Sequence, residues 1–131
     1  MSVKAEGLWT GSKNRVLQLL SRLLPGAMSL RVWLNRWRGV NIGNDVWIGY
    51  DAIIETSSPQ LVTIGDGVSI GMRVTIIAHF HEQHGVTIEK DAFIGPAAVI
   101  LPGVRVGQGA MVTAGSVVTH SVSPMTVVQG N

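Results

Sequence analysis

Residues 86–118 read VTIEKD AFIGPA AVILPG VRVGQG AMVTAG SVV when they are divided into groups of six. The third residue of every group is isoleucine or valine, and the first residue is small or β-branched. A period of six fits neither an α-helix nor an isolated amphipathic strand. It fits a short strand followed by a turn, so one aliphatic side chain per repeat is predicted to fill the interior.

The same pattern extends towards the N-terminus in an offset register. Ile42, Ile48 and Ile54 follow it, and it resumes after a slip of four residues at positions 57–60. Three such faces form a triangular coil, and successive coils stack at the parallel-strand spacing of about 4.8 Å. We therefore predict an all-β fold, a parallel β-helix over residues 40–131. The alternative, an ordinary β-sandwich, would show alternating strands and varied turn spacing.

The residues predicted to point into this interior occupy the third position of the repeat. They are Ile64, Ile70, Ile76, Ile88, Ile94, Ile100, Val106, Val112 and Val118. Glycine often follows such a residue, as at Gly65 and Gly71, and gives the backbone the freedom that a tight corner needs.

Residues 1–39 lack the repeat and are predicted to form a separate helical segment. Apolar residues at helical spacing precede Pro25-Gly26, which ends the first helix. A second helix is predicted to begin after Ser29 as N-cap and to end at Gly39. The apolar positions are Val16, Leu19, Leu20 and Leu23 in the first helix and Leu30, Trp33, Leu34 and Trp37 in the second. We expect both helices to cap the open first coil. The alternative is peripheral docking on a membrane through their arginines.

The composition supports a narrow, repeated core and limits the chemistry. Hydrophobic residues make up 46% of the 131 residues and charged residues 14%, with 16 glycines and only three Phe and Tyr together. The absence of cysteine excludes disulfides, zinc–thiolate sites and thiol catalysis. The net charge is +6 up to Gly39 and −4 beyond it. No apolar run of membrane-spanning length is present, and we expect a cytoplasmic protein.

The histidines cluster where the repeat fails. Three of the four lie in HFHEQH, residues 79–84. Glu82 takes the place of an inward aliphatic residue, and an unpaired carboxylate in so narrow a core would be costly. We therefore expect this face to bulge into a loop that carries the imidazoles outward. A repeat that breaks only where imidazoles cluster makes this segment the candidate site, because an imidazole can act as a base near neutral pH. The alternative is a polar loop that simply tolerates histidines.

The repeat, with glycine after the aliphatic residue and a small residue two positions before it, resembles that of the hexapeptide-repeat acyltransferases. The resemblance covers residues 40–131 and implies a left-handed coil, a homotrimer and an acyl-CoA donor, acetyl-CoA in particular. The run Ile76-Ile77-Ala78-His79 is similar to the segment in which sugar, maltose, galactoside and xenobiotic O-acetyltransferases place their catalytic histidine. The resemblance therefore implies His79 as general base, with His81 and His84 in contact with the acceptor.

The C-terminal repeats resemble the stretch on which this family lays the pantetheine arm of CoA between two β-helices. Matching positions imply donor contacts from Pro96, Ala114 and Thr119. His120 stands where many relatives carry a lysine near the cofactor phosphates, and Asp51 matches an acceptor-binding position. The resemblance implies a sugar or polysaccharide-precursor hydroxyl as acceptor, with no metal and no nucleic-acid partner.

Two other functions stay open on the sequence. A γ-type carbonic anhydrase shares the β-helix and trimer, and His79 and His84 have the local spacing of its ligand pair. That enzyme needs a third histidine earlier in the chain, and none precedes His79. A non-catalytic β-helix scaffold is the other alternative, for which we would expect an unbroken repeat without a histidine cluster.

Overall fold

The chain forms a parallel β-helix behind two N-terminal helices in a computed structural model that describes residues 7–79 and 85–130. Helices α1 and α2 span Leu8–Leu23 and Leu30–Arg38, and a short 3₁₀ turn spans Pro59–Leu61. The strands are β1 Asn41–Ile42, β2 Trp47–Ile48, β3 Ile53–Ile54, β4 Val62–Ile64, β5 Ser69–Ile70, β6 Thr75–Ile76, β7 Val86–Ile88, β8 Phe93–Ile94, β9 Val99–Ile100, β10 Arg105–Val106, β11 Met111–Val112, β12 Val117–Val118 and β13 Val127–Val128.

The described strands build three parallel sheets, one on each side of the triangular coil. Sheet A has the order β1-β4-β7-β10, sheet B the order β2-β5-β8-β11-β13, and sheet C the order β3-β6-β9-β12. The third positions of the repeat lie in register, with Ile70 paired to Ile94 in sheet B and Ile76 to Ile100 in sheet C. The parallel β-helix predicted from the repeat is confirmed, and the fold is consistent with the left-handed coil that the resemblance implied.

The interior is a single column of aliphatic side chains. All nine residues predicted to point inward from Ile64 to Val118 are at most 2% exposed. The small residues two positions earlier are buried beside them, for example Val68, Ala98 and Ala110. Each buried isoleucine or valine contributes about 1.5–3 kcal/mol relative to an exposed one, so the repeat itself supplies the stability of the coil.

The corner between sheets B and C stacks closely from coil to coil. A Cβ atom at Gly95 would lie 2.6 Å from the backbone nitrogen of Ala114, which is closer than real Cβ contacts. Glycine is therefore required at this corner because the backbone of the next coil occupies the space. Asp51 and Ala97 occupy equivalent positions at this corner on different coils. Their φ angles are 59° and 63°, in the left-handed region.

The two helices cap the first coil as predicted. Helix α1 does so with the opposite face from the one its apolar spacing indicated, whereas Leu34 of α2 is 3% exposed, as the spacing of that helix indicated. The face of α1 that packs on the coil is largely polar and consists of Gly11, Asn14, Leu17, Gln18 and Ser21. Val16, Leu19, Leu20 and Leu23 are 37–66% exposed, and Trp33 and Trp37 of α2 are 54% and 53% exposed. Ser29 precedes α2, but its side chain makes no capping hydrogen bond, whereas Gly39 ends the helix at a φ of 122°.

The polar packing face has a physical cause at the first coil. Strands β1, β2 and β3 are the edge strands of the three sheets, and edge strands present unpaired backbone groups. Three arginines of α2 donate to the carbonyl oxygens at the ends of these strands: Arg36 to Ile42, Arg31 to Ile48 and Arg38 to Ile54. Hydrogen-bond donors therefore satisfy the carbonyl groups at this end of the β-helix, and Val32 of α2 packs on its core. Neither described helix combines the length and hydropathy needed to span a bilayer.

Candidate active site

His79 and Glu55 form a close pair at the corner between sheets C and A. Glu55 directly follows β3, and His79 lies just after β6, the neighbouring strand of sheet C. The imidazole Nδ1 of His79 lies 2.8 Å from Oε1 and 2.7 Å from Oε2 of Glu55. The Glu55 side chain is fully buried, while 38% of the His79 side chain is exposed. The imidazole therefore joins a buried carboxylate to the protein surface.

Backbone amides hold the Glu55 carboxylate in place. Oε1 accepts hydrogen bonds from the N–H groups of Ala78 and His79 at 2.8 and 3.1 Å. Oε2 accepts from those of Ser57 and Ser58 at 3.1 and 2.8 Å. Burial works to raise the pKa of Glu55, but the hydrogen bonds from Ala78, the His79 ring, Ser58 and the His79 amide outweigh it and lower the pKa below its ordinary value. Glu55 is therefore ionised at neutral pH.

The ionised carboxylate determines which imidazole nitrogen is available for chemistry. A carboxylate only accepts hydrogen bonds, so Nδ1 of His79 carries a proton. In the neutral ring the lone pair then resides on Nε2, at the end of the imidazole away from Glu55. A base whose orientation is fixed by a third group is the arrangement used to activate hydroxyl groups.

Glu55 was missed in the sequence, although two signals mark it. It follows Ile54 at the position where glycine follows Ile42, Ile48 and Ile64. It also lies two positions before the start of the slip of four residues at positions 57–60. The structure places this slip at the same corner as His79 on the next coil, because β3 and β6 are neighbours in sheet C. The slip and His79 thus lie at one corner of the coil.

Asp51 lies at a different corner from His79. It follows β2 and precedes β3, at the corner between sheets B and C. Its carboxylate accepts a hydrogen bond from Nε of Arg22 at 2.7 Å, and its own amide donates to the Arg22 carbonyl oxygen. The structure does not bring Asp51 together with His79 within this chain, and its described contacts fasten α1 to the coil.

The four residues matched to the donor site divide between two corners. Pro96 and Ala114 are exposed and stacked on neighbouring coils at the corner between sheets B and C. Thr119 and His120 are exposed at the end of β12, with 2.8 Å between Thr119 Oγ1 and His120 Nδ1. Strands β6 and β12 lie two coils apart in sheet C, so His79 and Thr119 follow strands of the same face.

His81, His84 and the loop predicted around Glu82 lie outside the described residues. Within residues 7–79 and 85–130, no group of three or more His, Asp or Glu side chains is arranged to hold a metal ion.

Comparison with known proteins places this architecture in a family. Residues 85–120 match the family model described as bacterial transferase hexapeptide (six repeats). The chain is also 30% identical over 125 residues to YvoF of Bacillus subtilis (strain 168), a provisionally named acetyltransferase, across 91% of this chain and 72% of YvoF. The chain belongs to the hexapeptide-repeat acetyltransferases.

Further relatives of this acetyltransferase differ in length. Galactoside O-acetyltransferase of Escherichia coli (strain K12) is 30% identical over 111 residues, which cover 76% of this chain and 54% of that enzyme. The structure of serine acetyltransferase from Neisseria gonorrhoeae in complex with serine superposes with a TM-score of 0.61 at 25% identity, over 93% of this chain and 53% of that one. The chain thus spans about half the length of both proteins.

A solved structure of similar size shares the fold. It is a hexapeptide-repeat acetyltransferase of Vibrio cholerae O1 biovar eltor complexed with acetyl-CoA. The TM-score is 0.66 at 22% identity, over 93% of this chain and 82% of that one.

Proposed function

We propose that this acetyltransferase transfers an acetyl group from acetyl-CoA to a hydroxyl group of a sugar or polysaccharide precursor, with His79 as general base. The observation that carries the proposal is the His79–Glu55 pair, which leaves one imidazole nitrogen with a lone pair at a partly exposed position. The sugar hydroxyl is supported by the relationship to a galactoside O-acetyltransferase. An acetyl-CoA donor would place the reaction in the cytoplasm.

The proposed reaction is a direct transfer in which His79 moves the proton. The acceptor oxygen attacks the thioester carbonyl carbon while Nε2 of His79 takes the hydroxyl proton. The tetrahedral intermediate then collapses, the carbon–sulfur bond breaks, and the sulfur of CoA leaves with a proton returned by the imidazolium. The ionised Glu55 stabilises the imidazolium that forms between the two proton transfers.

Donor binding is assigned to the two corners that carry Pro96, Ala114, Thr119 and His120. All four residues are exposed, and a Cβ atom added at Gly115 would have no atom within 4 Å, so this surface is open to a ligand. The imidazole of His120 can donate a hydrogen bond to a phosphate oxygen. Asp51, His81 and His84 are assigned to the acceptor. Because Asp51 and His79 lie at different corners of one chain, Asp51 would contact an acceptor held by a neighbouring subunit.

We infer a homotrimer that packs through the outer face of sheet B. Its outward column, in register from coil to coil, holds four apolar residues that are 40–63% exposed, Trp47, Phe93, Met111 and Val127, and one polar residue, Ser69. The corresponding column of sheet A is polar, with Asn41, Thr63, Thr87 and Arg105. Exposed apolar surface of this kind favours association. Three identical heterologous contacts close a ring and leave a groove between neighbouring β-helices for the donor.

We also infer contact with a membrane surface through the outer face of the helices. The arginines expected to make this contact are largely used within the protein: Arg22, Arg31 and Arg36 donate to the coil. The exposed face instead presents apolar and aromatic side chains, including Trp9, Leu19, Leu23 and a Trp33–Trp37 pair with ring centroids 5.1 Å apart. Tryptophan and leucine on one helix face suit the boundary between headgroups and acyl chains.

The experiment that tests the proposed function is an acetyl-transfer screen. Purified protein is mixed with acetyl-CoA and a panel of methyl glycosides, nucleotide sugars and amines, and release of the CoA thiol is measured. Acetylated sugar with His79-dependent thiol release is the expected result. Bound zinc together with hydration of CO₂ would favour the γ-carbonic-anhydrase alternative, and acetyl transfer to none of the acceptors with no acetyl-CoA binding would favour the scaffold.

A further inference from the structure

The guanidinium group of Arg38 is buried beneath the corner that carries Glu55. Arg38 is 6% exposed and lies at the end of α2. Its Nη1 donates to the carbonyl oxygen of Ile54 at 2.6 Å, and its Nη2 donates to the carbonyl oxygen of Glu55. The guanidinium therefore binds the two consecutive carbonyl groups that flank the Cα atom of Glu55.

Two asparagines orient this guanidinium from the helices. Nε of Arg38 donates to Oδ1 of Asn14 at 2.7 Å, and Nη1 donates to Oδ1 of Asn35 at 2.9 Å. Asn14 and Asn35 are 2% and 1% exposed, so water does not compete for these bonds. A planar guanidinium with four directed hydrogen bonds has one preferred position.

Helix α1 holds the next residue of the same corner. The side-chain amide of Asn14 donates to the carbonyl oxygen of Thr56, and Nε2 of Gln18 donates to the hydroxyl oxygen of Thr56 at 3.1 Å. Residues 54–56 are thus fixed by the helices on one side. On the other side the carboxylate of Glu55 holds His79.

Glu55 has a backbone conformation that requires such support. Its φ angle is +27°, which side-chain-bearing residues rarely adopt. Strained residues persist where the surrounding structure holds them, and they concentrate at functional sites. The same residue must also direct both carboxylate oxygens towards one imidazole nitrogen.

We propose that Arg38, with Asn14 and Gln18, is a positioning residue that sets the orientation of His79 through Glu55. The inference rests on the proposed function of His79. It gives the N-terminal helices a part in the reaction beyond covering the open coil. Small displacements of a catalytic group cost rate because the reacting atoms leave their productive geometry.

The test compares two buried arginines of the same helix. Arg38→Lys removes the two hydrogen bonds to the carbonyl oxygens of Ile54 and Glu55. Arg31→Lys removes equivalent bonds to the carbonyl oxygens of Ile48 and Leu24, away from the His79–Glu55 pair. Thermal unfolding measures the loss of stability in each variant. CoA release from acetyl-CoA is measured with water and with methyl glycosides as acceptors, and ¹⁵N–¹H NMR of the imidazoles reports the Nδ1–H of His79.

At matched folded fraction, Arg38→Lys should lower kcat by roughly ten- to a hundredfold. The KM for acetyl-CoA should change less than about twofold, and the Nδ1–H signal of His79 should shift or broaden. Arg31→Lys should leave kcat and this signal close to wild type. Equal kcat and equal imidazole signals in the two variants would overturn the proposal and leave Arg38 a purely structural residue.

A milder variant keeps the test decisive if Arg38→Lys does not fold. Gln18→Ala removes only the contact with the Thr56 hydroxyl. It should lower kcat a few-fold and shift the same imidazole signal, and an unchanged signal would overturn the proposal. If His79→Ala itself keeps wild-type CoA release, the proposed function fails. If His79→Ala is inactive but Arg38→Lys and Gln18→Ala keep wild-type activity, only the positioning role is rejected.

Discussion

The Nδ1 atom of His79 lies within 2.8 Å of both carboxylate oxygens of Glu55, a residue 24 positions earlier in the chain. The carboxylate is fully buried and receives four backbone hydrogen bonds besides this one. A buried charge so completely bonded is a fixed electrostatic partner rather than a mobile side chain. The relationship makes both residues the natural targets of mutation.

Replacing His79 by alanine should remove the base without removing the donor site. We expect His79→Ala to lower kcat by about 10²–10⁴-fold, because proton removal from the acceptor loses its catalyst. The affinity for acetyl-CoA, measured by calorimetry, should stay near wild type. His120→Ala is the matched control and should weaken acetyl-CoA binding with little change in kcat. Near-wild-type turnover of His79→Ala would contradict the assignment of the base.

Glu55→Gln should lower stability by an amount that depends on pH. Because hydrogen bonds hold the folded-state pKa of Glu55 below its ordinary value, its stabilisation is fully present above the unfolded-state pKa of about 4.3. It is lost as the pH falls through the lower folded-state pKa. We expect the free energy of unfolding to drop by about 2–3 kcal/mol at pH 7, with the difference from wild type shrinking below about pH 4.3.

Urea unfolding of both proteins from pH 7 down to pH 3 measures this difference. Glu89→Gln is the control, since its carboxylate lies nearer the surface and accepts from Gln108 and Arg105. It should show a smaller loss at every pH. A Glu55→Gln penalty that grows towards low pH would show that the sign of the pKa shift is wrong.

A charge in the aliphatic column should unfold the coil. Ile64 is 1% exposed, whereas its neighbour Thr63 points outward from sheet A. Ile64→Asp should cost several kcal/mol, because an unpaired carboxylate would be buried in a narrow core and a domain is only marginally stable. Thr63→Asp should remain folded in circular dichroism and thermal melts. Similar melting temperatures for the two variants would argue against the inward register.

The outer face of sheet B should carry the subunit contact. Wild-type protein is expected to have three times the chain mass of 14.0 kDa in light scattering. Phe93→Glu should shift the mass towards that of one chain, because a charge would replace an apolar side chain at the centre of the column. Thr63→Glu, on sheet A, should leave the mass unchanged. A wild-type mass of 14.0 kDa at working concentration would reject the trimer.

The outer face of α1 should bind lipid. Wild-type protein is expected to sediment with vesicles of equal phosphatidylcholine and phosphatidylglycerol. Leu19→Glu should reduce the bound fraction severalfold, since Leu19 is 53% exposed on the apolar face. Thr10→Glu changes an exposed polar position of the same helix by the same charge and should have a smaller effect. Wild-type protein that stays in the supernatant would contradict the membrane contact.

The sequence determined the coil because the hexapeptide pattern is local. One aliphatic residue and one small residue per short strand specify which side chains point inward, and Ile64 through Val118 are buried as predicted. The same local reasoning marked residues 79–84 as the candidate site, since a histidine segment that breaks a regular repeat is visible in the chain, and the family resemblance then selected His79. The ends of the second helix near Ser29 and Gly39 were predicted from turn chemistry for the same reason.

The tertiary structure alone decided what lies beneath His79 and which face the helices present. Glu55 reaches His79 because the corner that holds residues 55–60 and the corner that holds residues 77–79 stack on consecutive coils. That alignment depends on the length of a whole coil rather than on any six residues. The apolar spacing of α1 indicated an inward Leu face, yet its polar face packs on the coil. The edge strands end in carbonyl groups that need donors, and hydrogen bonds to them from Arg31, Arg36 and Arg38 fix the orientation of the helices.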